Sequence, residues 1–290
     1  MPIAVNLFLW LGPQISARPL FQLVLNSINL PVTAAPSIDG SDGLQLFRKT
    51  LETSGDHFNV LEFLGVAMPG VLTVQSNALD PALTPPPALL ISDAPSFLVW
   101  IITLTLAGFF LVALYWEGLT RGVRVHAKPI VRSYLNFVAL LALLLAFGGM
   151  LIVPVMFLAA WVAPANPAIG SFLVLLAFLL ILWAVMYLSF ALPAIFVSGA
   201  NAIQAIAHSI AIFRFNFSPA LGLVFFSYLI QAGFGVIWEE LGIQPWGVLV
   251  DLIANAFIAS GLVAALMLFY HDRVTALAPA RPPARSSVKG

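Results

Sequence analysis

Cysteine is absent from the 290 residues, which excludes disulfides, thiolate metal sites and a cysteine nucleophile, and leaves the redox compartment open. Charge is also scarce. Asp, Glu, Lys and Arg make up 8% of the chain, against roughly 25% in soluble domains, so the chain cannot clothe a soluble surface. Familiar catalytic signatures are missing too. Lys49-Thr50 follows Arg48 rather than the glycine of a GxxxxGK[ST] phosphate loop, and no HExxH, GxSxG or metal-ligand spacing occurs. His57, His126, His208 and His271 are scattered along the chain. The expectation is therefore no cofactor, no metal, no catalytic group and no nucleic-acid partner.

What the chain has in quantity is apolar sequence: 61% hydrophobic residues and a mean hydropathy of +1.02. Five runs stand out, at about 95–116, 133–160, 171–197, 219–238 and 247–270. Each reaches the roughly 20 residues that cross a hydrocarbon core as helix. Barrel strands would instead read as alternating segments of about 10 residues. The fold class predicted is all-α, a polytopic transmembrane helical bundle over 94–272 with the lipid bilayer as its solvent. Pro154 sits in the second run, where it is expected to kink the helix, and the short Pro164–Gly170 link predicts a hairpin of the second and third spans.

The charges are segregated between alternate gaps. Arg121, Arg124, Lys128, Arg132, Arg214, Arg273, Arg281, Arg285 and Lys289 are nine of the twelve basic residues and fall on one side. The other side holds Glu239, Glu240 and an N-terminal region with seven acidic residues. The positive-inside rule then predicts a cytoplasmic C-terminus, with 273–290 a disordered cytoplasmic tail and 12–93 extracytoplasmic.

Residues 1–11 are apolar but too short to cross, with neither a basic leader nor a small-residue cleavage site. They read as the outer end of a partial first span, completed upstream or by a partner. Within 12–93, helical spacing at Arg18–Leu30 and Leu44–Thr53 and an apolar patch at Phe58–Leu64 predict two or three short helices on the outer surface or capping the bundle.

Between the third and fourth spans, 200–216 reads as an amphipathic interfacial helix. Ile203, Ile206, Ile210, Phe213 and Phe217 form its apolar stripe; Asn201, Gln204 and His208 form the polar one. The order Leu192-Pro193-Ala194-Ile195, then this helix, then Phe217-Ser218-Pro219-Ala220-Leu221-Gly222 entering a span, resembles the bacterial membrane-domain family related to the glycerophosphodiester phosphodiesterase membrane domain. The resemblance covers about 95–272 and implies a six-helix integral protein of a bacterial cytoplasmic (inner) membrane. Family members carry a glutamate and several arginines near this elbow, whereas this chain has Ser198-Gly199 and Arg214, and the phosphodiesterase domain has no counterpart.

Polar groups inside spans are the remaining candidates, since burying them in lipid is costly and often functional. Asp251, Asn255 and Gln231 are the possible functional set. Glu117 and Arg121 are spaced as a surface i,i+4 pair. Ala142xxxAla146, Ala256xxxSer260 and Gly261xxxAla265 fit close helix packing. Two function classes follow. One is a non-enzymatic scaffold, assembly or regulatory protein with a membrane-protein partner or a homo-oligomer; the other is a transporter or permease-like subunit for a small or lipidic solute.

Overall fold

A computed structural model describes residues 1–28, 49–50, 52–53, 55, 58–65, 67–69, 87–123, 129–241 and 245–277. Helix makes up 86% of it. Among the described residues, five helices are long and apolar enough to cross a membrane, the hallmark of a multi-pass membrane protein. They are α3 (Ala94–Val123), α4 (Ile130–Val162), α5 (Pro167–Leu188), α7 (Phe217–Leu241) and α8 (Pro245–Leu277). Before them come α1 (Pro2–Leu11), β1 (Gln14–Ser16), α2 (Arg18–Ile28), a 3-10 turn at Val60–Leu64 and β2 (Pro87–Leu90). Between α5 and α7 lie a π-turn at Ala194–Ser198 and α6 (Ala202–Phe215).

The chain divides into two compact units, residues 1–115 with 230–260, and 116–229 with 261–290. In the first, β1 pairs in parallel with β2, Ile15 opposite Leu89 and Ser16 opposite Leu90. Asn59 Oδ1 accepts from Ile15 N and Leu61 N, both at 3.1 Å, so one side chain ties β1 to the 3-10 turn. Ile15, Ala17, Val60, Leu61, Ile91 and Leu104 form the core beneath, with Leu9 of α1 and Phe97, Trp100 and Ile101 of α3 packed against it. Gly108 permits a close approach here, because a Cβ would lie 2.6 Å from the Leu64 carbonyl oxygen. Of the helices expected before the first span, α2 corresponds to the Arg18–Leu30 pattern; Leu44, Phe47 and Leu51 of the next pattern lie outside the described residues.

In the second unit α4 and α5 form the hairpin expected from their link. The Asn166 side chain caps α5 by accepting from Ile169 N, and a Cβ on Gly170 would meet Ala163 at 2.7 Å, so nothing larger than glycine fits the corner. Pro154 lies inside α4. The α6 helix packs on both. It starts with a reciprocal capping box, Asn201 Oδ1 accepting from Gln204 N and Gln204 Oε1 from Asn201 N. Gly199, at φ 65° and ψ 34°, closes the preceding π-turn in the left-handed region that glycine tolerates best.

Candidate functional site

The side chains that meet at the elbow come from three elements, two adjacent in sequence and one more than 60 residues further on. The Tyr270 hydroxyl of α8 is fully buried, 2.8 Å from Ser198 Oγ at the end of the π-turn and 3.1 Å from His208 Nδ1 on α6. A phenol has one proton, so Tyr270 donates to one neighbour while accepting from the other. With neutral His208 accepting at Nδ1, Ser198 donates to Tyr270; with Nδ1 protonated, both bonds reverse. The two arrangements differ in hydroxyl orientation and histidine tautomer, and no heavy atom need move between them.

Neighbouring contacts hold this centre in place. Ser209 Oγ accepts from Phe190 N at 3.0 Å and donates to the Tyr187 carbonyl at 2.6 Å, docking α6 on the end of α5. Trp116 stacks on Phe196 at 5.6 Å, and Phe190 on Phe269 at 5.3 Å. Thr120 Oγ1 donates to the Trp116 carbonyl and reaches Met267 Sδ at 3.8 Å. Glu117 is buried on this part of α3 rather than lying on the surface, while Arg121 is exposed.

Of the polar stripe on α6, Asn201 and Gln204 form the helix cap and His208 lies on Tyr270. The apolar stripe divides. Ala202, Ala205, Ser209, Ile212 and Phe213 make the buried face, whereas Ile203 and Ile210 are exposed, the former by 71%. Small residues on the buried face, Ala202, Ala205 and Ser209, let neighbouring helices approach closely.

The three intramembrane candidates occupy different surroundings. Asn255 is buried on α8, and Asp251, one turn earlier, is half-buried with Oδ1 lacking a hydrogen-bond partner among the described residues. Gln231 is exposed on α7. Ala256 is buried and its carbonyl accepts from Ser260 Oγ, which in turn accepts from Tyr115 at 2.8 Å. By contrast Ala142, Ala146 and Gly261 are exposed.

Outside the spans, hydrogen bonds from Ser96 hold the exposed Asp93 carboxyl below its usual range. No group of three His, Asp or Glu side chains that could hold a metal occurs among the described residues. The chain matches no protein-family model, no curated protein and no solved structure.

Ser198 and Tyr270 were invisible to spacing because they are 72 residues apart. The one local signal was Ser198-Gly199 after an apolar run, which also marks an ordinary helix end.

Proposed function

We propose that the chain is a non-enzymatic scaffold, assembly or regulatory component of a bacterial cytoplasmic membrane, its C-terminus cytoplasmic and 12–93 facing out, acting by lateral association with a membrane-protein partner or a further copy of itself. The observation that supports this most is α7. Only 6% of its apolar window is covered by the rest of the chain. Gln231 and Tyr228 stand exposed on it, three residues apart and so on one face, Tyr228 at 75%. Lipid tails offer neither group a hydrogen-bond partner, whereas another helix does.

A photo-crosslinking residue at position 231, in native membranes, tests the reading. A discrete protein adduct is expected, and one residue placed at exposed Val153 of α4 is the reference. Adducts with lipid alone from position 231 would overturn it.

A second reading, a transporter or permease-like subunit, rests on Asp251 and its unpartnered oxygen. Solute flux in proteoliposomes that disappears with Asp251→Asn would favour it over the first.

A further inference from the structure

The apolar patch at Phe58–Leu64 was expected on the outer surface or over the bundle, and its contacts run down the side of a span instead. At one end the Phe58 ring lies 6.3 Å from that of Phe97 in α3. At the other, the Leu64 carbonyl fills the space where Gly108 lacks a Cβ. Phe97 is close to the start of the candidate span Ala94–Gly122, and Gly108 is at its middle, about 21 Å along the helix from Ala94 at 1.5 Å per residue. The segment thus descends from one end of the span to its centre. Non-helical backbone at such depth is tolerated where protein covers it. Here Val60 and Leu61 are buried, and Asn59 meets two of the backbone donors.

Glu62 is carried down with it, between Phe58 and Leu64. Among the described residues, the elements packed around the turn bring it little charge, and Lys49 and Glu52 are exposed. Apart from the Met1 amino group, α1 has none, β1 has none, and α3 has none from Ala94 to Trp116. Arg18, at the start of α2, is exposed, and Asn6 and Asn59 are neutral amides. One carboxyl without a second acidic ligand is a poor metal site, since hard cations take six or more oxygens. It is well suited to a proton, which converts a carboxylate costly at this depth into a neutral acid.

We propose that Phe58–Leu64 is a re-entrant segment and that the Glu62 carboxyl is a proton-binding site held within the bilayer. The proposal is independent of the partner-binding reading of α7. Its test uses the full chain in proteoliposomes at neutral pH, with two carbodiimides and peptide mass spectrometry. Dicyclohexylcarbodiimide enters lipid and attacks protonated carboxyls; a water-soluble carbodiimide with a membrane-impermeant amine reports carboxyls in water. Glu62 is expected to react at least tenfold more with the first reagent, and exposed Asp93 to show the opposite preference. Glu62→Gln should remove that adduct alone. Equal labelling of Glu62 and Asp93 by the water-soluble reagent, or no labelling of Glu62 by either, would overturn the proposal.

The absence of native cysteine supplies a second measurement that leaves Glu62 intact. A lone cysteine from Leu64→Cys should react with an impermeant maleimide at least tenfold more slowly than one from Ser92→Cys. Equal rates would place the segment at the surface and end the re-entrant assignment.

Discussion

The 3-10 turn beside α3 and the π-turn leading to α6 both set short backbone that departs from the α-helix against a span, but they are fastened differently. The first rests on an apolar core, one asparagine and a missing Cβ at Gly108. The second is fastened by hydroxyls: Tyr270 joins Ser198 and His208, and Ser209 joins both sides of the α5 end. A backbone that leaves the helix must find partners within the protein when lipid surrounds it. The first stretch does so largely by shape and the second by side-chain polarity, so they should fail under different substitutions.

The largest effect is expected at the shape-dependent site. Gly108→Val drives a side chain into the Leu64 carbonyl and should cost about 3 kcal/mol, as overpacking does, seen as a lowered unfolding midpoint in detergent. Gly118→Ala on the same helix meets nothing within 4 Å and should be neutral or stabilising. Equal loss in both would remove the distinction. Next comes Tyr270→Phe, which keeps the ring and deletes the hydroxyl. Half-buried Ser198 and exposed His208 each lose a bond, for about 2 kcal/mol together, and a double-mutant cycle with Ser198→Ala should reveal coupling between Tyr270 and Ser198.

A smaller effect belongs to the α6 cap. Asn201→Ala should cost about 1 kcal/mol, read as faster amide exchange in the first turn of α6 with α5 unchanged. The smallest is a pH effect at Asp93. Its folded pKa is lowered, so its carboxylate cap contributes above the ordinary aspartate range and is lost as pH falls through the lowered value. The protection factor of the Ser96 amide, exchange measured against its intrinsic rate, should fall in acid, and Asp93→Asn should abolish that dependence.

Long apolar runs made the five spans legible, because hydrocarbon thickness fixes their length. The α6 helix was legible from three- and four-residue steps, but its inward face was not: Ile203 and Ile210 dominate a hydrophobicity pattern, while Ala202, Ala205 and Ser209 decide what packs. The β1–β2 pairing joins a three-residue strand to one 71 residues later, which no local pattern encodes. Glu62 sat in an apolar patch, but its depth depends on Gly108 far along the chain. Asp251 and Asn255 were found by polarity alone, and Tyr270 was missed because a tyrosine near a span end normally marks an interface.

The corner between α4 and α5 has a consequence for biogenesis. Four residues, 163–166, separate the two helices, and even fully extended they reach only about 14 Å. Once α4 is in the bilayer, α5 has no slack in which to wait outside. The two spans must therefore leave the insertion machinery as one unit, and lengthening this link, with Gly170 kept, would uncouple their insertion while leaving the finished helices the same.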